Sequence, residues 1–527
     1  MNSLASTKCA RRVLTALAAI TGIFLAVGCS NSNNQPPVNP VGFSNSSLSG
    51  TYVFSSQGLD NDAFPLNVAG TLMADGNKGI RGGTIDVIDA GLTTPPTTAA
   101  QTITSGSYFV NTDGRGQAAL KSAYGTYVLD FVLTSTSHGL VTEFDGNGGG
   151  SGTIDLQTAV TSLAGPYAFS LAGSDGSTNF APFAMAGAFT LNSSGAIPAN
   201  EGVEDFNDNG GVGNESLTGA AALGSGTGPG AITLTTTTFP LTFDFYPIDS
   251  THWKLVETDY NEFLAGDVFT QTGASIPTGI MAFTIEGGIS APIAAGGFMT
   301  ISGTSVSGSE DVNNGSLLTQ VGFSGTAGAP GTVGGRVLVT DLTDFSPAIQ
   351  MVIYPSSGGL LMLEADSLSV TSGAAYAQTP GAALAASQPY GLNLSAFNTS
   401  GPFEENDIAQ FTTTSSGFTG VIDINDNFGS GTTSLSSQTL GGTYTLDSPA
   451  TGRGEASTTA NSSAYVSFIF YAVTNSQFLL LETDSIQVGA GTFEAQSPSG
   501  AMPAASQAHI SLARPIVRPH GAAQRKK

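Results

Sequence analysis

Two carboxylates set two residues apart recur four times in the sequence: Glu143-Phe144-Asp145, Glu257-Thr258-Asp259, Glu364-Ala365-Asp366 and Glu482-Thr483-Asp484. A glutamine follows each glutamate by 14 residues (Gln157, Gln271, Gln378, Gln496), with a glycine five places before it. On a strand, residues i and i+2 share a face, so each pair could serve as the acid and partner carboxylate of a glycan hydrolase. A fold determinant must recur in every copy of a repeat, whereas catalysis needs one copy. The pairs therefore read as structural. Arg115, Arg336 and Arg453 stand 28, 28 and 29 residues before Glu143, Glu364 and Glu482. A buried carboxylate needs a partner, so the spacing predicts the ion pairs Arg115–Glu143, Arg336–Glu364 and Arg453–Glu482. In the second copy Pro229 takes the arginine's place, and Lys254 is the available substitute.

Other chemistry is sparse. Asp205, Asn207 and Asn209, followed by Gly210, match the first half of a calcium loop, but position twelve is Ser216. Calcium is the one cofactor the sequence suggests, and an Asx-type turn between strands is the competing reading. His138 and His252 each stand five residues before a repeat glutamate, where an exposed hairpin turn is expected. No cysteine follows Cys29, and no Gly-x-Ser-x-Gly occurs, so no nucleophile is assembled.

The elements that must position these residues repeat with them. The glutamates recur every 107 to 118 residues, too long for a solenoid and long enough for a domain. Asp86, Asp205, Asp311 and Asp423 mark a middle element in the four copies. Each copy breaks into about eight short runs of β-branched and aromatic residues separated by Gly, Ser and Asn, with hairpin-length links. The expectation is an all-β chain of four tandem antiparallel meander domains at 48–158, 163–272, 277–379 and 387–497. Barrels are favoured over sandwiches. In architecture alone the units resemble the lipocalin-like (calycin) barrels, with Tyr52, Tyr167 and Tyr390 where that family's Trp would stand. Runs such as Phe468–Val473 are apolar on both faces, which suits a sandwich or units packed on one another.

The ends carry an address. Lys8, Arg11 and Arg12 precede an uncharged run from Val13 to Val27, and Gly28-Cys29 follows. This run is shorter than the ~20 residues that span a bilayer and has the layout of a signal peptide. Ala26-Val27-Gly28-Cys29 resembles the lipobox of bacterial lipoproteins, with Ala26 where the family usually has Leu. The resemblance implies a signal peptide at 1–28 and an acylated Cys29. Residues 29–47 then form a tether, and Ser30 after the cysteine points to the outer membrane. Residues 504–527 hold five basic residues and no acid, which reads as a flexible basic tail.

Between the ends, residues 30–503 carry 7 Lys+Arg against 39 Asp+Glu, a net of −32. Such a surface repels phosphates and excludes nucleic acid as a partner. An exported, anchored, repeated and acidic chain without assembled chemistry is expected to be a non-catalytic binding or structural protein of the cell envelope. Its partners would be the membrane, through Cys29, and a surface polymer, a protein or a small apolar ligand. A carrier of apolar ligands in barrel-like domains and an exported glycan-active enzyme are the alternatives.

Overall fold

Each repeat opens with a large apolar residue and another two places on: Tyr52 and Phe54, Tyr167 and Phe169, Met281 and Phe283, Tyr390 and Leu392. In the computed structural model that shared face is the inside of a domain, and all eight side chains lie in the four main cores. The structure describes residues 41–92, 100–273, 278–343, 348–399, 401, 403–427, 432–448, 451–459, 462, 466–499 and 516.

The chain is all-β, with one 3-10 turn, Asn45–Ser47, as its described helix. Every strand pairing is antiparallel. The first strand of each domain returns to pair with the last in the same register: Tyr52 lies opposite Leu156, Tyr167 opposite Thr270, Met281 opposite Ala377 and Tyr390 opposite Ala495. Domains 3 and 4 are closed eight-stranded barrels. Domain 1 closes likewise around eight strands, with the two-residue strand Gln101–Thr102 added beside Gly79–Asp89. Domain 2 is a ten-stranded half-barrel that stays open between Gly211–Ser216 and Ala196–Ile197. Leu217 marks the break: its side chain is fully buried and its N–H turns to Gly202 O.

The strands that are apolar on both faces explain themselves once neighbours are considered. Phe468 and Phe470 point into barrel 4, while Ile469, Tyr471 and Val473 point out and pack on Ala282, Ala294 and Ala374 of domain 3. Small residues on one domain receive large ones from the next. The same arrangement places Ala168, Ala184 and Ala186 of domain 2 against Val352, Tyr354 and Leu361 of domain 3. Val53, Ala69 and Ile88 of domain 1 meet Tyr246, Ile248 and Val256 of domain 2. Ile408 of domain 4 meets Val132 and Leu140 of domain 1. Early strands of one domain thus face late strands of the next, and domain 4 faces domain 1. A head-to-tail contact that closes on itself makes a ring, here of four units in one chain. Each large side chain buried in a joint contributes on the order of 2 kcal/mol.

Both ends of the described chain dock onto this ring. Phe43 and Leu48 enter the core of domain 1, so the last residues of the expected tether are packed. Ile516 is buried against Leu59 and Ala63 of domain 1 and Phe397 of domain 4, and its N–H donates to Gly173 O of domain 2. At this residue the expected flexible tail is instead an anchor. The signal peptide, Cys29, the start of the tether and the rest of 504–527 lie outside the described residues.

Candidate functional site: four joints and an axial cavity

Among the residues that repeat, the middle-element aspartates bring domains together. Asp205 of domain 2 accepts from Arg336 Nε and Nη2 of domain 3, both at 2.5 Å, and from Tyr354 Oη at 2.5 Å. Asp311 of domain 3 accepts from Arg453 Nε and Nη2 of domain 4 at 2.9 and 3.0 Å, and from Tyr471 Oη at 2.7 Å. Asp423 of domain 4 meets Arg115 Nη1 of domain 1 at 3.4 Å. Asp86 of domain 1 accepts from Tyr246 Oη of domain 2 at 2.6 Å. The fork of an arginine on both oxygens of a carboxylate is a strong, directional contact, and it sets the angle between domains.

These partners correct the expected ion pairs. Arg115 pairs with Asp113 and Asp423 rather than Glu143, Arg336 with Asp205 rather than Glu364, and Arg453 with Asp311, Asp447 and Glu455 rather than Glu482. Arg115 and Arg453 begin strands of their domains, and Arg336 directly precedes the strand Val337–Leu342. The guanidinium, however, reaches toward the neighbouring domain, while the glutamate is the buried last residue of its strand and bonds within its own domain. Lys254 does serve domain 2, but on Asp267, at 2.7 Å.

The repeat glutamates are held by neutral donors. Glu143 accepts from Tyr127 Oη, Glu257 from the N–H groups of Glu262 and Leu264, Glu364 from Thr371 Oγ1, and Glu482 from the N–H groups of Thr483 and Asp484. All four are at most 2% exposed. Burial pushes Glu364 up to about 8 and the other three well above the usual carboxylate range, with the adjacent aspartate adding to the effect. Burial thus favours the neutral form of all four, which needs no cation. The aspartate of each pair caps the following turn: Asp366 and Asp484 each accept from the N–H two residues on.

In three of the four copies the glutamine that ends the motif reaches across a joint. Gln157 Nε2 donates to Pro247 O of domain 2, Gln378 Nε2 to Thr451 O and Ala472 O of domain 4, and Gln496 Nε2 to Asp113 O and Leu133 O of domain 1. The last contact closes the ring in the same way that the others build it.

Asn207 and Asn209 are likewise structural. Asn207 Nδ2 donates to three carbonyls of domain 3, those of Glu364, Asp366 and Ser369. Asn209 and Gly210, at φ 50° and 88°, form the two-residue turn between Gly202–Asp208 and Gly211–Ser216, the left-handed geometry that Asn-Gly hairpins favour. The calcium reading is thereby corrected, because Asp205 is taken by an arginine and Asn207 presents its amide N–H groups. Among the described residues no three of His, Cys, Asp and Glu converge on a point that could hold a metal.

Three features went unread in the sequence. The tyrosines 246, 354 and 471 stand 10 or 11 residues before a repeat glutamate, and that spacing was the available signal. Asn313 and Asn425, two places after Asp311 and Asp423, repeat the role of Asn207. His138 is 3% exposed, not a surface turn residue. It bridges Asp155, at 2.6 Å, and Glu494 of domain 4, at 3.2 Å. Burial opposes its charge, but Glu494 and Asp155 raise it to about 10. His252 is buried as well, 2.5 Å from Asp267.

At the centre of the ring, the first and last strands of domains 1, 3 and 4 and the last two strands of domain 2 line a cavity of about 80 Å³, with Gln57, Asp267, Glu286, Tyr376, Asn393 and Thr492 among its walls. That volume suits a few water molecules. Searches against family models and against curated proteins find no match to this chain. Among the described residues no helix is long and apolar enough to cross a membrane.

Proposed function

We propose that the protein is a cell-envelope lipoprotein, acylated at Cys29 and placed at the outer membrane, that works as a non-catalytic structural or binding protein. The observation that carries this reading is that the repeated aspartates and asparagines of the middle element bond across the joints between domains, while the repeated glutamates are buried on neutral donors within their own domains. A rigid ring presents its outer surfaces with little loss of freedom on binding, so weak contacts to a surface polymer or protein add efficiently. The recess between domains 3 and 4 is a place for such a contact. It encloses about 580 Å³ between Leu317 and Thr319 on one side and Thr443, Tyr444, Glu455 and Thr483 on the other.

Two measurements test the reading. Cys29→Ala should abolish incorporation of labelled fatty acid, and unchanged labelling would remove the anchor. The lipid-free chain from residue 30 to 527 should bind polymers or proteins on a glycan and protein array, and turnover of a glycan there would overturn the non-catalytic assignment.

A carrier of small apolar ligands is a second reading, and one domain supports it. Barrel 3 keeps a space of about 30 Å³ among Phe283, Met299, Met351 and Met362, and its mouth, of about 530 Å³, is lined by Ile285, Ile289, Ile293 and Leu368. Met299, Met351 and Met362 reshape readily around a ligand. Saturable binding of a fluorescent fatty acid, lost in Met351→Trp, would favour the carrier.

A further inference from the structure

Three joints of the ring place an arginine on the middle-element aspartate, and the joint between domains 1 and 2 does not. Gly230 pairs with Phe245, which sets Pro229 beside Tyr246, where Arg453 lies beside Tyr471. Pro229 brings no charge. What faces Asp86 from domain 2 is a second carboxylate, Asp244, two residues before Tyr246 on the same face of the strand Pro240–Pro247. Asp86 is 3% exposed and Tyr246 fully buried. Asp244 is gripped from the domain 1 side by the Ala100 N–H as well as by Asp86. Tyr124, Tyr260 and Asp89 are the other titratable groups near this pair. Lys254, on the adjacent strand, is turned to Asp267. Asp86 is buried and Asp244 half-buried, and with no cation between them among the described residues the two carboxylates cannot both ionise cheaply.

We propose that the joint between domains 1 and 2 is a pH-sensitive seam, held closed by a proton that Asp86 and Asp244 share and loosened when that proton leaves. Tyr246 Oη supplies the third member of the cluster, donating to Asp86 in the closed state. Burial, with Asp244 adding to it, pushes Asp86 up to about 7. A carboxyl raised in the closed state contributes stability that is complete below its ordinary value and is lost as pH rises through the raised one. Opening of the seam therefore increases by up to about tenfold per pH unit from about pH 4, and levels off above about 7. The joint between domains 2 and 3, where Arg336 faces Asp205, has no such carboxylate pair, since an arginine keeps its charge throughout.

Hydrogen exchange on the full lipid-free chain between pH 4.5 and 8, corrected for intrinsic rates, tests the proposal. Protection at 240–256 and 66–89 should fall with rising pH while protection at 349–363, in the joint between domains 2 and 3, changes less. Because Asp60, Asp130, Glu204, Glu262, Glu364 and Asp426 are also raised to about 7 or 8, Glu204 and Glu364 of them at the reference joint, the decisive quantity is the difference made by Asp244→Asn. Its amide can still donate to Asp86, so the extra pH dependence should vanish with the seam closed. Equal pH dependence at the two joints of the native chain, or a slope that survives Asp244→Asn, overturns the proposal. Should Asp244→Asn fail to fold, the comparison of the two joints within the native chain decides alone, and Asp86→Asn repeats the test from the other side.

Discussion

Arg453 of domain 4 forks onto both carboxylate oxygens of Asp311 in domain 3, at 2.9 and 3.0 Å, while Tyr471 from the neighbouring strand donates to the same carboxylate. The arginine side chain is 6% exposed and the aspartate 2%. Removing one member of a buried pair strands the other, which costs about 3–5 kcal/mol. Arg453→Ala should therefore lower stability by that order. Combined with Asp311→Asn, the loss should fall short of the sum of the two single losses. Combined with Glu482→Gln the effects should add, because Glu482 has neutral partners. A coupling to Glu482 in chemical denaturation, and none to Asp311, would restore the sequence-based pairing.

The joints also change what proteolysis should yield. Four beads on a string would be released as fragments of about 11 kDa. In the ring, cuts near 159–164, 272–279 and 379–388 leave fragments joined by buried contacts and by glutamine bridges such as Gln157 to Pro247 O and Gln378 to Ala472 O. The nicked chain should elute as one species from a sizing column and separate only in denaturant. Free single domains under native conditions would show that the joints are too small to hold.

Why the fold was readable and the joints were not follows from which face a residue serves. Tyr52, Phe54 and their equivalents repeat with a period of two and point inward, so the eight-strand meander could be read from apolar pattern and turn residues. The outward residues carry no local signature. Arg453 and Glu482 belong to one domain, so spacing within the repeat suggested that they meet. Asp311 is 142 residues from Arg453, and only the closed ring puts them together. The apolar outer residues Ile469 and Leu479 did announce a neighbour, without saying which surface it would bring. His138 was misread for a related reason. Its turn lies at the barrel end that domain 4 covers, and Glu494 arrives there from the far end of the chain.

Asn207 offers a test of the turn against the calcium loop. Its amide supplies donors to three carbonyls of domain 3, and their loss inside a buried joint costs about 1–3 kcal/mol. Asn207→Ala should lower the midpoint of chemical denaturation accordingly. Millimolar calcium or a chelator should leave the midpoint of the native chain unchanged. A calcium-dependent rise in melting temperature that Asn207→Ala abolishes would instead make the residue a ligand.

His138 closes the ring electrically, between Asp155 of its own domain and Glu494 of domain 4. Its proton is held more tightly in the fold than in the unfolded chain, since Glu494 and Asp155 outweigh burial and raise it to about 10. For a base raised in this way the added stability is complete below about 6.5 and is lost as pH climbs through about 10. The native chain should therefore become easier to unfold between pH 7 and 10, because the unfolded chain releases its imidazole proton in that range while the fold must keep its own. His138→Gln keeps a donor but no charge, and should be less stable at pH 7 with a shallower slope above it. Adding Glu494→Gln to His138→Gln should recover part of the loss, because one uncompensated charge is removed with it. Urea denaturation of the three proteins at pH 7 and 9.5 measures all of this. If His138→Gln matches the native slope between those values, the histidine holds its place by shape and hydrogen bonds, and its charge has no part in closing the ring.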